Sequence, residues 1–497
     1  MTMVGLSTLQ PSRKRSGKHT MHLQGLIGSL LLGLYGCATP VPPRAQLAVD
    51  VPVAWSVDSI AARGGKSSLA DWWMRFDDQL LARLVTQALQ ANTSIKTAEA
   101  ALRQARALRD ISAAGLSPTL GSSAAARRSK SGDSDATNNF TAGFDASWEL
   151  DIFGANRNAL NASEATTQAS AASLRNVQVS IAAEVALAYI TLRGAQARLA
   201  IAEVNLATQQ ETLQITQWRL QAGLVTSIET EQARSATEQT RARVPLLQTS
   251  IEQTRHALAV LTGQAPAALA AVLAATGPLP YPVDDLILSI PAETLRQRPD
   301  VRAAEHRVTA AAAKVAEADA ARLPGFKLGG SLGLSAATLG TLGNSASVIG
   351  SLLASVSLPI FDGGALRGQV RVQQAALDQA ILAYQAAVLN ALQEVEDALV
   401  ALRGEQQRLA RLQQAAVAAG NAAALARQRY NSGLVDFQTV LETQRTQLAT
   451  EDSVASSGAD LSADHVRLYK ALGGGWIPTI DGSITYPNTE SVRNPHS

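Results

Sequence analysis

A single cysteine in 497 residues, Cys37, leaves no partner for an intrachain disulfide. Neither a His-Glu-x-x-His metal pair nor a Gly-rich Gly-Lys-Ser/Thr phosphate loop occurs, so no motif points to an energy source or to zinc hydrolysis. Formal charge is only +2, with Lys and Arg spread along helical stretches rather than gathered with aromatics, which argues against a nucleic-acid partner. Aromatics make up 4% of the chain, yet several concentrate in one short segment. With 46% hydrophobic and 17% charged residues the bulk is ordered, not disordered.

What is present begins at the N-terminus. A basic segment (Arg13, Lys14, Arg15, Lys18), an apolar run from Leu26 to Leu34 and the small residue Gly36 follow in the order of a secretory signal. The run is too short to cross a bilayer as a helix. Leu34-Tyr35-Gly36-Cys37 resembles the bacterial lipobox, which implies cleavage after residue 36 and a covalent lipid on Cys37. Ala38, rather than Asp, follows the cysteine, which by the same resemblance points to the outer membrane. An ordinary signal peptide that happens to hold a cysteine is the alternative.

The mature chain reads twice. Residues 154 to 225 match 364 to 435 at an offset of 210: Gly154 with Gly364, Arg157 with Arg367, Glu184-Val185 with Glu394-Val395, and "RLQAGLV" with "RYNSGLV". This predicts a first repeat over 80–262 and a second over 293–474, with 37–79, 263–292 and 475–497 as the connecting and terminal segments. In each repeat a stretch without proline carries an apolar seam, as in Ile181, Val185, Ala188, Leu192, Ala195 and Leu199. At 1.5 Å per residue each helix would reach about 100 Å. Gly223 and Gly433 then stop the rods, and a second helix runs back from each tip to about 262 and 472. Shorter helices, Leu80 to Ala114 and Pro299 to Arg322, precede the strands.

Those strands are the exception in a helical chain. In "NNFTAGFDASWELDIFG" every even position from Phe140 to Ile152 is apolar, while Thr141, Gly143, Asp145, Ser147, Glu149 and Asp151 are small or charged. A period of two is a strand with one dry and one wet face. Strands are expected at about 118–128, 138–152, 325–335 and 348–361, the second pair alternating through Phe326, Leu328, Leu332, Leu334, Val348, Leu352, Val356, Leu358 and Ile360. Four strands cannot close a barrel, and an open edge cannot sit in lipid. Three copies pooling their hairpins give about twelve strands, enough for an aqueous lumen. A small soluble sandwich is the competing arrangement, and it leaves the wet face and the long rods without a reason. Alternation puts Glu149 and Asp151 on the lumen face, as pore lining rather than as a catalytic pair.

"SWELDIFGANRN", "SLPIFDGGALRGQV", the paired Gly-Leu-Val tips, the lipobox and the duplication together resemble the TolC/OprM family of outer-membrane efflux ducts, in its lipoprotein (NodT-like) branch. The resemblance implies a mainly α fold with a small membrane β-barrel part: a homotrimer with a twelve-stranded barrel above an α-barrel tunnel of duplicated helical hairpins, and no enzyme activity. It further implies a passive duct that takes small molecules from a periplasmic adaptor and an inner-membrane RND-type transporter, with no cofactor or metal beyond the lipid at Cys37. Gly223, Leu224, Val225, Gly433, Leu434 and Val435 are the expected adaptor contacts. Arg429, Tyr430, Asp436, Glu442 and Arg445 are the expected periplasmic gate, and Glu229, Glu231 and Arg234 stand in a similar place on the first hairpin. Glu442 departs from the family, whose better-known members have Asp there. A type I protein-secretion outlet and a coiled-coil scaffold without a pore remain as alternative functions.

Overall fold

The computed structural model describes residues 51–52, 54–55, 69–282, 294–295 and 297–476, so Cys37, the signal segment and the C-terminal segment from 477 lie outside the described residues. Each half has the same plan. The first runs α1 (Gln79–Ala91), α2 (Thr93–Ala114), β1 (Thr119–Ser129), β2 (Thr137–Leu150), α3 (Ala155–Gln221) and α4 (Ser227–Leu261). The second runs α5 (Pro299–Ala320), β3 (Gly325–Ala336), β4 (Val348–Ser357), α6 (Ala365–Asn431) and α7 (Phe437–Ala471). The two long helices have 67 residues each and the two return helices 35 each. Duplication is thus carried at the level of whole elements.

The four strands form one antiparallel sheet in the order β1-β2-β3-β4. Helix order continues strand order: α2 leads into β1 and packs on α3, which follows β2; α3 packs on α5, which leads into β3; and α5 packs on α6, which follows β4. Toward the tips the order becomes α4-α3-α7-α6. The chain is therefore a wall, a row of four strands continued by a row of four helices at each level.

Alanine makes the wall thin. Buried Ala162, Ala165, Ala169, Ala182, Ala183 and Ala186 line α3, so neighbouring helices approach closely along it. The largest apolar core lies midway, where Trp72 stacks on Tyr469 at 5.3 Å and Leu81, Leu192, Leu258 and Leu468 are buried around it. Two equivalent polar ties fix this waist. Asn92 Nδ2 donates to the carbonyl of Leu261 at 2.8 Å, and Arg298 Nη1 donates to that of Ala471 at 2.7 Å, so each return helix has its last turn bonded to the start of the short helix of its own half. Asp78 accepts from the Tyr189 hydroxyl at 2.8 Å, and Arg193 bonds Tyr189 and the carbonyl of Ala275, pinning the connecting segment to α3. Burial, with Asp78 adding, pushes the Tyr189 phenol up to about 12.

Three expectations need correction. The helix expected over Leu80 to Ala114 is two helices, because Asn92 takes an extended ψ of 134° and spends its side chain capping the Ser94 and Ile95 amides. The fourth strand ends at Ser357 rather than 361, where Pro359 has no amide to give the ladder. The second strand ends at Leu150, and Asp151, expected on the lumen face, instead accepts from the Asn156 and Arg157 amides at 3.1 and 2.8 Å, starting α3.

Candidate functional site

Register decides what the sheet can do. Every pairing joins even to even and odd to odd: Phe144 faces Ser122 on one side and Leu332 on the other, and Leu332 faces Gly350. All even residues of the four strands therefore share one face. That face holds Leu120, Phe140, Phe144, Trp148, Phe326, Leu328, Leu332, Leu352 and Val356, and it is uncovered, with Leu352 80% and Leu332 62% exposed. The indole of Trp148 donates to the carbonyl of Leu116 at 3.0 Å, which sets an amphipathic ring at the end of the apolar band. An uncovered band this large needs a non-aqueous neighbour.

The odd face is polar. Ser123 donates to Asp145 at 3.1 Å, Ser331 and Ser351 pair at 2.8 Å, and Glu149 stands opposite Lys327 in the register. Ile349 and Leu353 are exceptions on this face, at the free strand β4, and the alternation drawn from the even positions had passed over them. Gly143 and Gly333 face each other there so closely that a Cβ on Gly143 would lie 2.9 Å from the Gly333 Cα. Only residues without a side chain fit at so close a cross-strand approach on this face. Within the described residues β1 and β4 each have one paired side and one open edge.

At the other end stand the two tips. Gly223 and Gly433 adopt φ of 71° and 74°, the left-handed conformation that ends a helix, and Leu224 and Leu434 amides close back onto the carbonyls of Arg219 and Arg429 at 2.8 and 2.9 Å. The turn throws Leu224 and Leu434 outward, 73% and 74% exposed, while Val225 and Val435 are half-buried. These are the two sites the sequence singles out, and they are alike in backbone and exposure.

The gate candidates divide. Tyr430 donates to Glu229 Oε2 at 3.2 Å, Arg219 lies over its ring at 4.6 Å, and Phe437 packs beside it at 5.4 Å. Burial pushes the Tyr430 phenol up, with Glu229 adding to the shift and Arg219 opposing it. Asp436 is the cap of α7, accepting from the Thr439 amide at 2.8 Å and from its hydroxyl, and these bonds hold its carboxyl below the usual range. Arg429, Glu442 and Arg445 are exposed, and Glu442 and Arg445 form no ion pair among the described residues. Glu231 pairs with Arg234 at 2.9 Å on the first hairpin. Arg219 and Phe437 were not among the expected gate residues. The signal for Arg219 was its place: it is the counterpart of Arg429 in the duplicated "RLQAGLV" and "RYNSGLV".

Comparison with known proteins agrees with this geometry. The family model described as Outer membrane efflux protein matches residues 84–264 and 290–474. Outer membrane protein OprJ of Pseudomonas aeruginosa is 31% identical over 462 residues, spanning 90% of this chain and 96% of its own. The toluene efflux pump outer membrane protein TtgI of Pseudomonas putida is 31% identical over 464 residues, covering 90% of this chain and 97% of its own. The solved outer-membrane channel OprN superposes with a TM-score of 0.81 at 36% identity, over 86% of this chain and 98% of that one. A wall of long staves, a sheet with one apolar face and open edges, and these matches lead to one conclusion: the chain belongs to the outer membrane efflux protein family.

Proposed function

We propose that the chain is the exit duct of a tripartite efflux system, working as a lipid-anchored homotrimer that passes small molecules delivered by a periplasmic adaptor and an inner-membrane RND-type transporter. The observation that carries this reading is the unbroken parity of the sheet. One face is apolar and uncovered, the other largely polar, and both edges are open. Each unpaired backbone group in hydrocarbon costs several kcal/mol, so the edges must be paired by other copies before the apolar face can enter lipid. Pooling the four strands of three copies gives about twelve, a barrel wide enough for water.

The rest of the duct follows from the same wall. Rods of about 100 Å are long enough to carry a tunnel well into the periplasm. Leu224 and Leu434 offer the adaptor a matched pair of apolar contacts at the tips. The tie from Tyr430 to Glu229, with Arg219 over the ring, is the core of the closure there, and Arg429, Asp436, Glu442 and Arg445 surround it. The chain catalyses no reaction in this account, and the driving force comes from the transporter. That TtgI is named for toluene efflux favours small molecules over secreted proteins as cargo. The test is conductance of the purified protein in planar lipid bilayers: discrete channel steps are expected, and protein that inserts without conducting contradicts the reading.

A further inference from the structure

A cavity of about 520 Å³ opens between α3, α6 and α7 in the tip half of the rods. It exists because α6 withdraws its side chains. Gly420, Ala423 and Ala424 stand where the first repeat has Gln210, Leu213 and Gln214. A Cβ on Gly420 would meet nothing within 4 Å, so no packing contact asks for glycine at this helix-interior position.

The buried part of the lining holds acceptors that nothing in the protein satisfies. Gln209 and Gln444 are each 5% exposed, and the Oε1 of each is buried without a partner. The orientation of Gln444 is fixed by its neighbour. Its Nε2 donates to Thr212 Oγ1 at 3.2 Å, and the Thr212 hydroxyl has already given its proton to the carbonyl of Thr208 at 2.9 Å, so a carbonyl oxygen is what Gln444 has left to offer. Glu451 takes one N–H on each carboxylate oxygen, from Asn205 at 2.9 Å and Gln447 at 2.8 Å, and keeps lone pairs for more. The cation in the lining, Arg427, is turned to Glu211 at 3.6 Å.

We propose that this cavity binds an organic cation bearing primary ammonium groups, with Glu451 as counter-charge and the free oxygens of Gln209 and Gln444 as acceptors. An anion would meet the Glu451 carboxylate and the two unpaired amide oxygens. An apolar ligand would leave both amides unpaired. A bare metal ion would find one carboxylate in a space far larger than its coordination sphere, whereas a volume of this order suits a flexible molecule with several N–H donors. Because the site is built from three helices, the cation bridges α3 to α7 and stabilises their packed arrangement over any in which they part. The inference does not depend on the duct reading.

The test is titration of the purified full-length protein in detergent with spermidine at low ionic strength, read by calorimetry and by the unfolding midpoint. Saturable binding with a raised midpoint is expected. Glu451→Gln and Gly420→Leu should each weaken it at least tenfold, the first by removing the charge and the second by filling the space. Arg427→Gln should tighten it a few-fold by removing a like charge, and Glu252→Gln, an exposed acid elsewhere, should leave it unchanged. No saturable binding overturns the proposal, as does binding that Glu451→Gln and Gly420→Leu leave intact. If a lysine-bearing helical peptide binds where spermidine does not, the cavity is a protein contact and the free-cation proposal falls.

Discussion

Tyr430 donates a hydrogen bond from its hydroxyl to Glu229 across the two hairpins, at 3.2 Å and 201 residues apart in sequence. The bond joins the last turn of α6 to the first turn of α4, beside both tips. Arg219, 4.6 Å from the ring centre, completes a three-residue knot drawn from three helices. A bond of this kind contributes about 1 kcal/mol, little enough for a partner's docking to release it. Tyr430→Phe keeps the packing on Phe437 and loses the bond. We expect larger or longer openings of the channel in planar bilayers with no loss of assembled protein, and more from Tyr430→Phe with Asp436→Ala together, along with sensitivity of cells to large antibiotics such as vancomycin. Wild-type conductance in the double variant places the closure elsewhere.

The exposed leucines of the tips can be tested without touching the turn that presents them. Leu224→Asp and Leu434→Asp leave Gly223 and Gly433 in their left-handed conformation and should cost the fold under about 0.5 kcal/mol, as exposed sites do. Adaptor crosslinking and efflux should fall while the amount of assembled protein in the membrane holds. Efflux equal to wild type in both variants removes the tips from the contact.

At Cys37 the expected chemistry is acylation. Cys37→Ser should abolish fatty-acid labelling and leave the precursor uncleaved by the lipoprotein peptidase; labelling that persists contradicts it. Assembly should survive the change, since closing a barrel depends on strand pairing and not on the anchor.

His306, half-buried on α5, gives the fold a pH dependence of known sign. Burial pushes its imidazole below the usual value, with Glu305 pulling the other way and Arg302 adding to the shift. A base depressed in the folded state binds protons better when unfolded, so stability is lost as pH falls through the unfolded value of about 6.5 toward the folded one. The unfolding midpoint should drop between pH 7.5 and 5.5, and by less in His306→Gln. Equal slopes in the two proteins refute the assignment.

Most of the plan is legible in the sequence because it is periodic. Parity along Phe140 to Leu150 fixed a strand and its dry side, the seam through Ile181 and Val185 fixed a rod, and Gly-Leu-Val twice at one distance fixed the tips. What was not legible came from side chains that serve the backbone. Asn92 looks like any polar residue in an amphipathic stretch until its cap and its bond to Leu261 are seen. Asp151 reads as pore lining by alternation and Asp436 as a gate residue by resemblance, yet both spend their oxygens on helix starts. The knot of Tyr430, Glu229 and Arg219 depends on which helices lie side by side, and no local period encodes that.

The central claim is that copies of the chain close the sheet by pairing β1 of one with β4 of the next. Cysteines placed on the two edges, Ala125 in β1 with Ser351, Leu353 or Ser355 in β4, test it directly through oxidation in membranes and electrophoresis under denaturing conditions. The account predicts that at least one pair gives covalent dimers and trimers and nothing larger, each single cysteine giving neither. A bond formed only within one chain, or no bond between chains from any pair, contradicts it.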